Sequence, residues 1–311
     1  MSKVLMVGSA EQSGGGVASV LRLMKTMPFW EKYHCGWLGT QIQREYGVKL
    51  WYALKAYFRA MFTIWQYDIV HFHTVPDKIC LIIQMPVLLL AKKWQKCFAE
   101  WFPTVKAKTA VIYNACAPTP AVDYSIKEKS IIMAAFLNDN KHPDLLLKAW
   151  KNLKADFPDW HVTIMGNGEV ERFQAMAQTM DMDDSVTFTG YITGKQKENV
   201  WNRASIYCMC SRHEGFPMVV LEAWARGVAV VTTPVGGLPD VIEEGKNCLT
   251  FPFDDADALT MQLRKLMKSP ELCRDMAEYS KSFGEKMFAP VMVNESIEKL
   301  GEVEDFYLPR N

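Results

Sequence analysis

The sequence has no surplus of either charge. Lys and Arg total 35 and Asp and Glu total 35 in 311 residues, a formal net charge of zero. The basic footprint of a general nucleic-acid binder is therefore absent, and no nucleic-acid partner is expected. No apolar run approaches the ~20 residues of a membrane span. The longest, Ile79 to Ala91, is interrupted by Gln84 and Pro86 and reads as a buried helix. No C-x-x-C pair occurs among the eight cysteines, at 35, 80, 97, 116, 208, 210, 248 and 273. Only Cys208-x-Cys210 is close-spaced, inside an apolar run, so all eight read as reduced thiols of a cytoplasmic protein. After Met1-Ser2-Lys3 only four apolar residues precede Gly8, shorter than a signal-peptide core. With 49% apolar and 23% charged residues, the composition excludes a disordered tail and a disulfide-stapled miniprotein.

What is present is alternation. In the first part, strands are expected at Val4 to Val7, Tyr33 to Leu38 and Asp68 to Phe72. Gly14-Gly15-Gly16 opens a helix carrying Val17, Val20, Leu21 and Met24. Further helices are expected over 48–65 and Lys78 to Lys92. The second part repeats the pattern. Its strands are expected at Ser130 to Ala135, His161 to Met165, Val186 to Thr189, Ala204 to Cys210 and Val228 to Thr232. Its helices are expected at Pro143 to Lys154, Val170 to Met180, Lys195 to Arg203, Met218 to Ala225 and Ala256 to Met267. Thr193 with Gln196 has the spacing of a capping box. Strand–helix alternation predicts parallel sheets covered on both faces. Pro118 and Pro120 break the chain between the halves. The fold class is thus α/β with two Rossmann-like domains facing across a cleft. Domains are expected at 1–115 and 116–285, with a C-terminal helix in 286–311 packing back on the first.

The chemistry concentrates in Ser211-Arg212-His213-Glu214-Gly215-Phe216-Pro217-Met218-Val219-Val220-Leu221-Glu222-Ala223. A buried strand runs into a polar loop, and Pro217 suits the first position of a helix because it lacks the N–H that position cannot use. The amides of Met218, Val219 and Val220 then have no partner within the helix. Together with the helix dipole they suit a phosphate. Glu222 lies among Met, Val, Leu, Ala and Trp, where a carboxylate is costly without a partner. Its two oxygens suit a vicinal diol such as a ribose. Glu214 suits sugar hydroxyls or positive charge at an anomeric carbon. The plainer alternative has Glu214 as a helix cap and Glu222 paired with Arg212 or Arg226.

Glu214-Gly215-Phe216-Pro217 with Glu222 resembles the E-x7-E motif of the retaining glycosyltransferase family 4. The runs Gly227 to Thr232 and Gly236-Gly237-Leu238-Pro239-Asp240 resemble that family's next strand and Gly-Gly loop, with Asp240 where Glu is usual. Gly166-Asn167-Gly168 and Val186 to Gly190 match in type and order. The resemblance implies a GT-B fold, a nucleotide-sugar donor held mainly by the C-terminal domain, transfer with retained configuration, and no cofactor or metal. It assigns Glu222 to the donor ribose, and the Met218 and Val219 amides and Lys141 to the diphosphate. Glu214, as the catalytic residue, meets the donor sugar together with the Gly215-Phe216 backbone. It brings the Gly15-Gly16 loop and Gly166 to the donor as well.

Two departures stand out. The family's second diphosphate clamp, an arginine shortly before the lysine, is replaced by Ala135 or Phe136. A stretch of the N-terminal domain is missing near 96/97, so that domain is shortened. Weaker signals have simpler readings. His71-Phe72-His73 lacks a third metal ligand, and Asp181-Met182-Asp183 is a turn. The helix over 48–65, with Trp51, Tyr57, Phe58, Lys49, Lys55 and Arg59, is a core helix or a peripheral contact with the inner face of the plasma membrane. The expected function is sugar transfer from a nucleotide-diphosphate sugar to a saccharide or lipid-linked acceptor in bacterial surface-polysaccharide biosynthesis. The alternatives are a sugar-nucleotide epimerase or hydrolase of similar shape and a catalytically silent nucleotide-sugar binder.

Overall fold

The computed structural model describes residues 3–11, 16–41, 55–56, 58–59, 63, 66–67, 69–72, 87–89, 91–101 and 109–302. The chain divides into two compact units. One comprises 1–117, 215–218 and 286–311; the other comprises 118–214 and 219–285.

The first unit carries β1 (Val4–Ser9), α1 (Gly16–Met24), α2 (Pro28–Lys32), β2 (Gly36–Gln41), β3 (Ile69–Phe72), β4 (Val87–Leu89), α3 (Lys92–Trp101) and β5 (Thr109–Val111). The strands form one parallel sheet in the order β2-β1-β3-β4-β5. Val4 to Val7 are buried, as a central parallel strand covered on both faces requires. The chain leaves β1 to one side and later returns to the other, so the sheet switches direction between β1 and β3. The last helix, α10 (Pro290–Glu302), buries Val293 and Ile297 in this unit's core with Met6, Leu21 and Phe29. It is fastened by Asn294 Oδ1, which accepts from the Phe29 amide at 3.3 Å, and by a Lys32–Glu298 ion pair of 3.1 Å.

The second unit carries β6 (Ser130–Ala134), α4 (Pro143–Lys151), β7 (His161–Met165), α5 (Val170–Thr179), β8 (Val186–Gly190), α6 (Gly194–Arg203), β9 (Ile206–Met209), all but the first residue of α7 (Met218–Ala225), β10 (Ala229–Thr232), β11 (Leu249–Thr250), α8 (Ala256–Lys268) and most of α9 (Pro270–Phe288). All pairings are parallel, in the order β11-β10-β9-β6-β7-β8. The switch of direction falls between β6 and β9. Three tryptophans, Trp150, Trp201 and Trp224, are fully buried in this unit. Burying a large apolar side chain contributes roughly 1.5–3 kcal/mol. Two of them also place their indole N–H: Trp224 on the Asn247 carbonyl at 2.8 Å and Trp150 on Ser185 Oγ at 3.1 Å.

Several expectations need correction. Val87–Leu89 is a strand within the stretch read as a helix over Lys78 to Lys92; the rest of that stretch up to 86 lies outside the described residues. Three apolar residues after a proline carry no period, and a proline is tolerated just before a strand. The helix α3 that follows was not foreseen. Thr193 is the residue preceding α6, but its side chain makes no capping bond. Of the aromatic helix expected over 48–65, only 55–56, 58–59 and 63 are described, all helical. No disulfide joins any two of the seven described cysteines. Burial pushes the Cys248 and Cys273 thiols up to about 12, which makes them inert. Asp181 has φ 55°, a turn conformation.

Candidate active site

Ligands of open α/β sheets bind beyond the carboxyl ends of the strands, at the switch point. In the second sheet, that point is where the loops after β6 and β9 leave. The first loop turns on Asn138, whose Oδ1 accepts from the amides of Asn140 and Lys141 at 3.0 and 3.1 Å. Asn140 then joins the two loops. Its Nδ2 donates to the His213 carbonyl at 3.0 Å, its Oδ1 accepts from the His213 amide at 3.1 Å, and its own carbonyl accepts from the Arg212 amide at 2.8 Å. This sets Lys141 opposite Glu214, and Lys141 Nζ pairs with Glu214 Oε1. Their side chains are only 22% and 15% exposed.

The residue after Lys141 stores strain. His142 has φ 48° and ψ 57° and stands directly before Pro143 of α4. The left-handed region costs a non-glycine residue about 1–2 kcal/mol. The imidazole is held by Asp144 at 3.3 Å and meets the Phe253 ring edge-on at a centroid distance of 4.9 Å. Its buried Nε2 has no hydrogen-bond partner among the described residues. Such strain persists only where the surroundings over-determine it.

Glu222 lies on α7, and besides Arg226, one of the two partners foreseen, it has a nearer one that was not. Lys197 of α6 donates to Glu222 Oε2 at 2.8 Å, while Arg226 is 4.0 Å from the same oxygen and pairs with Glu198 at 2.8 Å. Arg212 instead lies over the Phe253 ring, 5.1 Å from its centroid. Tyr207, on β9, feels both acids. Burial pushes its phenol well above the ordinary value, and the charges of Glu214 and, less strongly, Glu222 push the same way. Lys197, Asn140 and Tyr207 had escaped the sequence reasoning. Asn140 alone gave a signal, as part of the turn-forming Asn138-Asp139-Asn140.

Gly166 has φ 136°, and a Cβ there would overlap the carbonyl oxygen of Ala135. Phe136, at or beside the position of the missing arginine, is 56% exposed. Gly215 to Met218 belong with the first unit. There the Gly215 carbonyl accepts from Trp94 Nε1 at 3.0 Å, and buried Phe216 packs against Tyr113 and Phe288 at centroid distances of 5.4 and 5.9 Å. Met218 and Val219 open α7, so their amides have no partner inside the helix. Gly16 is the first residue of α1, whereas Gly14 and Gly15 lie outside the described residues, as does His73. Among the described residues, no group of three or more His, Cys, Asp or Glu could hold a metal ion. None of their helices is long and apolar enough to cross a membrane.

Residues 123–283, just over half of the chain, match the family model described as glycosyl transferases group 1. The chain belongs to this family. An uncharacterized glycosyltransferase of Haemophilus influenzae is 31% identical to this group 1 chain over 162 residues, 51% of the chain and 45% of that relative. A phosphatidyl-myo-inositol mannosyltransferase of Mycolicibacterium smegmatis is 27% identical over 197 residues, 62% of the chain and 50% of that relative. The chain thus spans half or less of the length of these curated relatives. A crystal structure of Anabaena Alr3699/HepE in complex with UDP-glucose matches with a TM-score of 0.72 at 15% identity, covering 97% of this glycosyl transferases group 1 chain and 100% of the other. The fold is α/β with parallel sheets of the GT-B type.

Proposed function

We propose that the chain transfers a sugar from a nucleotide-diphosphate sugar to a saccharide or lipid-linked acceptor, with retention of anomeric configuration, as a family 4 enzyme. The observation that carries this reading is the Lys141–Glu214 pair at the switch point of the second sheet, four residues before α7 begins. The family match and the UDP-glucose bound by a protein of the same fold support it.

In this reading the donor's C1–O bond breaks and its electron pair leaves on the diphosphate. The acceptor hydroxyl bonds to C1 on the same face and passes its proton to the departing diphosphate oxygen. Lys141 and the Met218 and Val219 amides take up the negative charge that develops on the diphosphate, so no metal is required. Glu214 stabilises positive charge at C1. The Glu222 carboxylate receives the ribose hydroxyls, and the backbone near Gly166 meets the donor. Only Lys141 and the helix amides replace the usual two-cation clamp. A lipid acceptor accords with the phosphatidyl-myo-inositol in the name of the mannosyltransferase relative, and the reaction is placed in surface-polysaccharide assembly on the cytoplasmic side of the membrane as part of the same proposal.

The test combines UDP- and GDP-sugars with candidate saccharide and lipid-linked acceptors. It reads nucleoside diphosphate release and the anomeric configuration of the product by proton NMR. Acceptor-dependent release with an unchanged anomeric configuration is expected. Binding without release under any acceptor would establish a silent relative, and release independent of acceptor a hydrolase; either overturns the reading.

A further inference from the structure

The Lys197–Glu222 contact lies outside the motif that drew attention to Glu222. Lys197 comes from α6 and Glu222 from α7, 25 positions apart in sequence. Their side chains are 35% and 28% exposed, so solvent still reaches both. The competing cation is occupied elsewhere. Arg226 bonds Glu198 and lies over the Trp201 ring at 5.5 Å, and it stands 4.0 Å from Glu222. Among the described residues no hydrogen bond reaches Glu222 Oε1, while Oε2 carries that from Lys197.

This leaves a specific pattern of donors and acceptors. A bare carboxylate only accepts, whereas a hydroxyl group both donates and accepts. The ammonium group has three N–H donors, one of them spent on Glu222. The pair therefore offers an open carboxylate oxygen next to unspent ammonium donors, matched to a vicinal diol. The same ammonium fixes the carboxylate's rotamer before any ligand arrives, which lowers the ordering cost of binding.

We infer that Lys197 is a positioning residue that sets Glu222 for the donor ribose, so that discrimination of ribo- from deoxyribonucleotides depends on it. The inference rests on the assignment of Glu222 to the ribose. It adds a residue from a second helix that makes recognition of the ribose a two-residue property.

The experiment measures by calorimetry the affinity for UDP and GDP and for their 2′-deoxy and 3′-deoxy counterparts. It uses the full chain and its Lys197→Met, Lys197→Arg and Glu222→Gln variants, each checked for an unchanged thermal transition. The wild-type chain should bind the ribonucleotide about tenfold more tightly than a deoxy form, as expected for a lost charge-assisted hydrogen bond. Lys197→Met should erase most of that ratio while leaving deoxy affinity within about twofold, and Lys197→Arg should restore part of it. Equal loss of ribo and deoxy affinity in Lys197→Met would overturn the inference, because a general electrostatic pull on the diphosphate would then be the role. An unchanged ratio in Lys197→Met with a ratio lost in Glu222→Gln would also overturn it while leaving Glu222 in place. A wild-type chain that binds ribo and deoxy forms equally, with Glu222→Gln unaltered, would instead remove the ribose assignment itself.

Discussion

Two lysine–glutamate pairs serve the same unit by different structural means. Lys141–Glu214 joins two loops, and Lys197–Glu222 joins two helices. The loop pair is the more buried and needs a scaffold of its own, supplied by the Asn138 turn, the Asn140 cross-link and the strained His142. The helix pair needs none. The helices hold its backbones, and Arg226, one turn beyond Glu222, is a second cation within reach. Loops at a sheet edge can place charge where a reacting group passes, whereas helix faces can hold a parent skeleton steady. The contrast suggests chemistry at the first pair and recognition at the second.

The largest expected effect would break the contrast if it went the wrong way. Lys141→Met should lower acceptor-dependent nucleoside diphosphate release about 100-fold or more, as for loss of one charge-stabilising donor. The same readout in Glu222→Gln should fall mainly through KM, with kcat held within about threefold and nucleotide affinity about tenfold weaker by calorimetry. A kcat loss in Glu222→Gln as large as that in Lys141→Met would merge the two roles. Asn140→Ala should sharpen the contrast by removing the cross-link alone. It should cost about 1 kcal/mol in urea unfolding because the bonds are solvent-accessible, and it should slow release more than Lys197→Met does.

The smallest effect concerns the region behind the helix pair. Lys127 Nζ donates to the Arg226 carbonyl at 3.2 Å. Burial first, then the Arg226 charge, hold its ammonium group down at about 8, below the usual 10.5, and Cys273 opposes this. Between those values the unfolded chain binds more protons than the folded one, so stability should rise with pH across about 8 to 10.5. Lys127→Met should lose that rise. Urea unfolding of both proteins at pH 7.5 and 9.5 checks this, and parallel pH profiles would refute it.

The second unit was largely legible. His161–Met165 and Met218–Ala225 begin and end where the sequence places them, because Gly, Pro and polar loops separate each periodic run from the next. The first unit was less so. Val87–Leu89 is too short to display a period, and its identity as a strand comes from pairing with β3 and β5, information from distant chain segments. The same limit applied at the site. Glu214 and Glu222 announced themselves through the E-x7-E spacing, and Lys141 through its match to the resembled family. Lys197 sits on a helix whose charged surface offers nothing to distinguish one lysine from another. Only tertiary packing selects it, and it stands nearer to Glu222 than Arg226 does, while Arg212 lies over Phe253.

The glycine at 166 has a further consequence. Its amide is tied to the Gly190 carbonyl at 2.9 Å, and no side chain can stand over the Ala135 oxygen beside it. At this patch of the sheet rim the protein can show a visitor nothing but peptide dipoles, held fixed by the ladder. Substitution cannot retune such a pavement. Any change of taste must be written on its kerbs, Phe136 and Tyr191, which are 56% and 66% open to solvent.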